Sequence, residues 1–182
     1  YIGGTIKKRD DLLVQTVEAM KSRFNIDVRI RSEVINVDTD NKKVTVKSSS
    51  KGIYEQEYDC LILSPGAKAI RPDIPGINSE KIFTLRNIPD TDAIKEFIDK
   101  KAVDSAVVVG GGFIGVEMAE NLKSKGLNVT VVEAASHVLA PFDSDMVVTI
   151  EKELVKKGVD LVLGDGVKAF TDTKNRINVI LN

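Results

Sequence analysis

The chain has 182 residues, of which 42% are hydrophobic and 29% are charged, and its net charge is −1 at pH 7. This composition is typical of a globular protein, and 26 basic residues against 27 acidic ones exclude the basic surplus expected of a nucleic-acid-binding protein. No apolar run approaches the ~20 residues that a membrane span requires, so the sequence predicts neither a nucleic-acid partner nor a membrane partner.

The first part of the chain is predicted to form a short helix and then a β-rich stretch. Thr16 is placed to cap the helix. Apolar and polar residues then alternate at 28–30, 35–37 and 44–46, which predicts strands of a sheet with one solvent-facing side. Residues 39–42 have the sequence TDNK and are expected to form a hairpin turn.

A continuously apolar run at residues 60–63 predicts a strand that is buried on both faces. Cys60 is then expected to pack as a small apolar residue rather than to act in redox chemistry. Because Cys60 is the only cysteine, no intrachain disulfide is possible, which favours a reducing, cytoplasmic location. Four of the five prolines lie between residues 65 and 89, so we interpret residues 66–89 as a connection between two lobes.

The second lobe alternates between predicted helices and strands. Strands that alternate with helices of this length predict an α/β fold with a parallel sheet and right-handed crossovers. The helices are expected to begin near Asp90 or Thr91, after Gly112, and near Asp143 or Ser144, and to bury Ile94, Phe97 and Ile98, then Ile114, Met118 and Leu122, then Met146, Ile150 and Leu154. The strands are expected at residues 106–109, 129–133, 159–163, 167–171 and 176–181.

A glycine motif connects the first of these strands to the next helix. Residues 110–115 have the sequence GGGFIG, which matches the G-x-G-x-x-G fingerprint of dinucleotide-binding βαβ units. In that fingerprint Gly110 permits the tight turn, Gly112 lets a pyrophosphate approach the backbone, and Gly115 lets the helix pack close to the strand. The helix N-terminus would then offer N–H groups and a partial positive charge to the phosphates. The alternative interpretation is a glycine-rich turn that binds nothing.

Glu133 ends the second strand of this unit. An acid about 20 residues after the glycines accepts hydrogen bonds from the adenosine ribose hydroxyls and repels a 2′-phosphate. No arginine follows in Ala134, Ala135 and Ser136, so the sequence favours NADH over NADPH. The alternative role for Glu133 is that of a solvated strand end.

The remaining polar candidates favour structural roles. We interpret His137, the only histidine, as a surface residue of the loop after this strand, and nothing pairs it with a nucleophile as in a hydrolytic triad. Glu117 lies in the first turn of the predicted helix, where an acid complements the helix dipole. Cysteine and histidine do not occur at metal-ligand spacing, so no metal site is predicted.

Several further motifs accompany the glycine motif along the chain. The full set is residues 110–117 (GGGFIGVE), the strand ending at Glu133, residues 61–67 (LILSPGA), residues 71–76 (RPDIPG), residues 85–87 (LRN) and residues 1–4 (YIGG). Together these motifs resemble the FAD-dependent pyridine nucleotide–disulfide oxidoreductases, and within these the branch of coenzyme A-disulfide reductase and NADH oxidase/peroxidase.

The resemblance implies cofactors and roles at matching positions. It implies a Rossmann-like NAD(H)-binding domain at residues 89–182, truncated at its end, and a partial FAD-binding domain with an antiparallel β-meander at residues 1–88. Phe113 matches a position that can cover the flavin when NADH is absent. Gly110, Gly112 and Gly115 would contact the NAD pyrophosphate, Glu133 its ribose, Ile114 and Glu117 its nicotinamide, and Val34, Ser64, Gly66 and Ala67 the FAD.

The resemblance also implies what the whole enzyme does. It would pass a hydride from NADH to FAD and on to a small-molecule substrate, either a disulfide or persulfide such as coenzyme A disulfide, or oxygen or peroxide. Its catalytic cysteine, N-terminal FAD glycine motif and dimerisation domain have no counterpart in these residues, so we expect an interior fragment that is inactive by itself, from a homodimeric parent. Two alternatives stay open, namely a stand-alone NAD-sensing module and a flavoprotein of the ferredoxin reductase type.

Overall fold

A computed structural model describes all residues of the chain, Tyr1–Asn182. The chain forms two compact units. The smaller unit comprises Leu13–Ala67, and the larger unit comprises Tyr1–Leu12 together with Lys68–Asn182. The division into an FAD-binding part and an NAD-binding part at residues 88 and 89 stays a prediction.

The smaller unit is a helix followed by a three-stranded antiparallel sheet. Helix α1 (Val17–Phe24) begins after Thr16, whose side chain accepts a hydrogen bond from the Ala19 amide. Strands β1 (Ser32–Asp38), β2 (Lys43–Ser48) and β3 (Gly52–Glu57) pair in chain order. Because each strand pairs antiparallel with the next, the predicted β-meander is confirmed.

The β-meander differs from the prediction at its two ends. The expected strand at residues 28–30 is wrong, because the backbone turns there and Arg31 adopts a positive φ of 50°. β3 was not predicted, since its sequence GIYEQE carries few apolar residues. On β2, Val44 and Val46 are buried while Lys47 is exposed, as predicted for a sheet with one solvent-facing side. On β1, Ile35 and Val37 are both exposed, so the predicted one-sided burial is confirmed for β2 only.

The apolar run at residues 60–63 is not a buried strand. It has no strand conformation, and Ile62 is 88% and Leu63 71% exposed. Cys60 is exposed too, so its predicted burial is wrong. The physical reason is that an all-apolar strand needs a partner strand and a covering layer on each face, and the chain supplies neither here.

The larger unit contains the predicted α/β alternation. Sheet β4-β5-β6 is parallel, whereas β7 and β8 form a separate antiparallel pair. The chain has no helix with both the length and the apolar character needed to cross a bilayer. The elements are α2 (Ile88–Lys101), β4 (Ser105–Val109), α3 (Phe113–Ser124), β5 (Asn128–Glu133), α4 (Ser144–Lys156), β6 (Val159–Leu163), β7 (Val167–Asp172) and β8 (Ile177–Leu181), preceded by a 3-10 turn at Arg9–Leu12.

Helix α2 begins two to three residues earlier than predicted. Its N-cap is Asn87, whose side chain accepts a hydrogen bond from the Asp90 amide, while the Asp90 carboxylate accepts one from the Asn87 amide. This reciprocal capping box satisfies N–H groups that otherwise lack partners at a helix start. Pro89 lies in the first turn of α2, a position that proline favours; the prediction assigned Pro89 to the connection and therefore missed the cap.

The core of the larger unit lies between the parallel sheet and its helices. Val129 and Val131 of the central strand β5 are buried against Ala119 and Leu122 of α3, with Ile2 from the N-terminal segment among them. This arrangement confirms β5 as a strand that is covered by helices.

Two predicted helix faces need correction. Ile114 in the first turn of α3 is exposed, because it precedes the part of the helix that packs on the sheet. On α4 the buried residues are Val147 and Leu154, whereas Met146 is 62% exposed and Ile150 is at the margin of exposure. The apolar stripe of α4 is wider than its contact surface, so periodicity alone could not select the side that packs.

Candidate nucleotide-binding site

Gly110 and Gly115 shape the turn between β4 and α3. Gly110 has a positive φ of 106°, and its amide donates to the Val132 carbonyl at 2.8 Å. A Cβ at position 115 would lie 1.9 Å from the Gly110 carbonyl oxygen. Glycine is therefore required at 110 by backbone conformation and at 115 by the close approach of helix and turn.

Gly112 differs from Gly110 and Gly115 because it borders open space. It is the N-cap of α3, its φ is −73°, and no side chain caps the helix. A Cβ built at Gly112 meets nothing within 4 Å. The N-terminus of α3 thus presents backbone N–H groups and a partial positive charge to an open space. A groove of about 1680 Å³ runs along this turn, and Val107, Val109, Gly112, Phe113 and Ile114 contribute to its lining.

The Glu133 carboxylate lies against the glycine turn. Its Oε2 accepts a hydrogen bond from the Gly111 amide at 2.6 Å, and its Oε1 accepts one from the Ala135 amide at 2.7 Å. Each carboxylate oxygen has two lone-pair positions, so one position on each remains for a further donor. The side chain is half-buried. This geometry fits a group that carries adjacent hydroxyls.

The loop between β5 and α4 is tied to the same turn. The Leu139 amide donates to the Gly111 carbonyl at 2.8 Å, and the Val138 amide donates to Glu151 Oε1 of α4 at 3.1 Å. Val138 and Leu139 are buried against Val147. Sequence reasoning did not find Glu151, because no local pattern indicates that a carboxylate twelve or more residues away meets this loop.

Aromatic and apolar side chains stand at the start of α3. The Phe113 ring packs edge-on against Phe142, with centroids 5.8 Å apart, and both rings are exposed. Ile114 and Glu117 are exposed on the same helix. The side chains predicted to face a nicotinamide are therefore accessible, and Phe142 is an aromatic neighbour that sequence reasoning missed.

The four residues predicted to contact FAD all lie in the smaller unit. Val34 is an exposed residue of β1. Ser64, Gly66 and Ala67 lie in an exposed segment that is neither helix nor strand. Gly66 has a positive φ of 75°, a backbone conformation that favours glycine.

His137 lies in the loop after β5, as predicted, and is half-buried. Its Nδ1 is 2.9 Å from the Val138 carbonyl oxygen, a contact that fixes the ring within the loop. No group of three or more acidic, cysteine or histidine side chains could hold a metal ion.

The parallel sheet, the glycine turn at the N-terminus of α3 and the acid at the end of β5 define a Rossmann-type dinucleotide-binding fold. The sequence profile of the pyridine nucleotide-disulphide oxidoreductase family matches residues 2–182. The chain belongs to this family, which confirms the resemblance on which the sequence interpretation rested.

Curated relatives lie in the predicted branch. The chain is 39% identical over 163 residues to an NADH oxidase of Methanocaldococcus jannaschii, covering 89% of the chain and 36% of that protein. It is 38% identical over 173 residues to a coenzyme A disulfide reductase of Staphylococcus haemolyticus, covering 94% of the chain and 39% of that protein. The chain thus spans well under half the length of either relative.

Solved structures share the fold over nearly the whole chain. The reduced CoADR-RHD of Bacillus anthracis is 48% identical with a TM-score of 0.87, covering 99% of the chain and 34% of that protein. A water-forming NADH oxidase from Lactobacillus brevis, bound to NADH, is 30% identical with a TM-score of 0.87, covering 100% and 40%. A NAD-dependent persulfide reductase from A. fulgidus is 30% identical with a TM-score of 0.90, covering 100% and 34%.

Proposed function

We propose that the chain is the NADH-binding part, with a portion of the FAD-binding part, of a flavin-dependent oxidoreductase. The observation that carries this proposal is the pairing of an uncapped α3 N-terminus at Gly112 with the Glu133 carboxylate on the Gly111 amide. A diphosphate requires the first feature, and the adjacent adenosine ribose requires the second.

Each part of the site has a separate task in this proposal. Gly110, Gly112 and Gly115 let the pyrophosphate approach the N-terminus of α3, and Glu133 accepts hydrogen bonds from the ribose hydroxyls. When bound, NADH supplies a hydride that FAD accepts. The task of the protein is to align the two cofactors. Three exposed residues of α3 would position or cover the reacting rings, namely Phe113, Ile114 and Glu117.

The FAD part of the proposal rests on family membership and on exposed backbone in the smaller unit. Val34 would contact the adenine, while Ser64, Gly66 and Ala67 would lie along the flavin nucleotide. The positive φ of Gly66 and the exposure of this segment are compatible with a ligand lying against it.

For the final electron acceptor we propose a disulfide or persulfide, or oxygen or peroxide. The support is that relatives carry the names coenzyme A disulfide reductase, persulfide reductase and NADH oxidase. We expect the 182-residue chain to be inactive by itself, because its only cysteine, Cys60, does not match the catalytic cysteine of such enzymes. We further propose that the whole protein is cytoplasmic and forms a homodimer.

Titration of the purified chain with NADH and with NADPH tests the nucleotide site. We expect NADH to bind more tightly, because the Glu133 carboxylate repels a 2′-phosphate. Glu133→Gln removes the charge and weakens NADH binding by about tenfold, since a hydrogen bond to a charged group contributes about 1.5–3 kcal/mol. It also narrows the preference for NADH over NADPH.

The ratio of the NADH affinity to the NADPH affinity shows whether Glu133 recognises the ribose or only stabilises the glycine turn. A change that only loosens the glycine turn would weaken both nucleotides equally, whereas loss of the charge alters their ratio. Glu153→Gln, on the solvent side of α4, is the matched control and should bind as the unaltered chain does. Equal affinity of the unaltered chain for NADH and NADPH would contradict the role of Glu133.

A further inference from the structure

We propose that Glu151 of α4 is a positioning residue for the nucleotide site, acting through the loop between β5 and α4. This inference rests on the proposed function, because it concerns how the NADH site is held in shape. Glu151 does not belong to the glycine motif, and its carboxylate contacts the backbone of the loop rather than the turn itself.

The connection runs through two consecutive amides. Glu151 Oε1 accepts a hydrogen bond from the Val138 amide at 3.1 Å, and the next amide, that of Leu139, donates to the Gly111 carbonyl at 2.8 Å. The Gly111 amide in turn donates to Glu133. Three hydrogen bonds, each donated by a backbone amide, therefore link Glu151 on α4 to the carboxylate that would bind the ribose.

This corner of the loop needs external support. Leu139 is buried with a positive φ of 53°, a backbone conformation that residues with a side chain rarely adopt. Such a conformation persists only where the surrounding structure over-determines it. Glu151 supplies part of that support, together with the packing of Val138 and Leu139 against Val147.

A local consequence follows for Gly111. A Cβ at Gly111 would lie 3.1 Å from the Val138 side chain and 3.2 Å from that of Glu133, so the turn, the acid and the loop are packed tightly together. When the Val138 amide loses its acceptor, the loop can move away from the turn. The Glu133 carboxylate then loses the fixed orientation that recognition of a ribose requires.

Binding of NADH to variants of the full 182-residue chain tests this role. We expect Glu151→Ala to raise the NADH dissociation constant about tenfold. Glu151→Gln keeps an acceptor oxygen at the same place and should bind within about threefold of the unaltered chain, since a neutral acceptor retains roughly half of the energy of such a bond. Glu153→Ala, two positions along the same helix with its side chain half exposed, is the control.

Amide hydrogen exchange without nucleotide gives a second, independent measurement. In Glu151→Ala the amides of Val138 and Leu139 should exchange at least about tenfold faster, as expected for a locally opened loop, while those of β5 keep their protection. Should Glu151→Ala not fold, Glu151→Met, which keeps the side-chain volume without the acceptor, replaces it in both measurements.

The outcomes are distinguishable. If the unaltered chain does not bind NADH, the proposed function fails and the inference falls with it. If the unaltered chain binds NADH but Glu151→Ala binds equally well at a temperature where both are folded, only the inference is overturned. The same holds if Glu151→Gln is as weak as Glu151→Ala, because the acceptor oxygen would then not be the cause.

Discussion

Gly112 and Gly115 lie three residues apart at the start of α3 but serve different purposes. Substitution of each by alanine distinguishes these purposes. Gly115→Ala places a Cβ 1.9 Å from the Gly110 carbonyl oxygen. We expect it to lower the free energy of unfolding by about 3 kcal/mol or more, a loss that exceeds the gain of about 1 kcal/mol in helix propensity. Denaturation in urea, followed by circular dichroism, measures this change.

Gly112→Ala is the complementary prediction. Its Cβ meets no protein atom, so the free energy of unfolding should fall by less than about 1 kcal/mol, the usual range for an altered N-cap. NADH binding should nevertheless be lost or strongly weakened, because the methyl group would occupy the proposed path of the pyrophosphate. A Gly112→Ala variant that binds NADH normally would exclude the glycine turn as the diphosphate site.

At the residue scale, sequence reasoning identified what is encoded locally. Gly110, Gly112, Gly115 and Glu133 stand at fixed intervals within one βαβ unit, and such intervals can be found in the chain itself. Glu151 could not be found this way, because its contact with Val138 depends on the path of the intervening loop.

At the scale of elements, helix α2 offers a direct measure of capping. Asn87→Ala removes the acceptor for the Asp90 amide and should lower the free energy of unfolding by about 1 kcal/mol. Asn87→Ser retains a capping oxygen and should recover most of that loss. Equal stability of Asn87→Ala and the unaltered chain in urea denaturation would show that the Asn87 side-chain cap contributes nothing.

The elements that sequence patterns predicted correctly are those whose burial is regular along the chain. Strands β4 and β5 and the turn between β1 and β2 follow from periodicity and turn chemistry. Residues 60–63 misled because apolar character predicts burial only where a partner layer exists. The predicted burial of Met146 on α4 was wrong for a related reason. The apolar stripe of α4 is wide, and the neighbouring strands determine which side of the helix is buried.

At the scale of the whole molecule, one carboxylate between two helices should contribute to the dependence of stability on acid pH. Asp99 of α2 contacts Lys125 at the end of α3 and Lys95, both at 2.8 Å. Hydrogen bonds from Lys125, which has the larger effect, and from Lys95 lower the pKa of Asp99 from 3.8 to about 2. Because the folded pKa is depressed, the stabilisation is present above pH 3.8 and is lost as the pH falls towards 2.

Asp99→Asn should therefore flatten the dependence of the free energy of unfolding on pH between about pH 2 and pH 3.8. Urea denaturation at a series of pH values measures this slope, and 1 M salt should diminish the difference between the two proteins because all three side chains are partly exposed. Parallel curves for the variant and the unaltered chain would remove Asp99 as a cause of acid sensitivity.

Two backbone amides hold the Glu133 carboxylate in place, and this would affect how selectively the proposed site binds a ribose. A side chain immobilised only on association loses about 0.5–1.5 kcal/mol of affinity to ordering. Here that ordering is completed during folding, since both oxygens are oriented by backbone donors of the chain itself. Discrimination between the two nicotinamide cofactors would then be built into the folded backbone rather than acquired through induced fit.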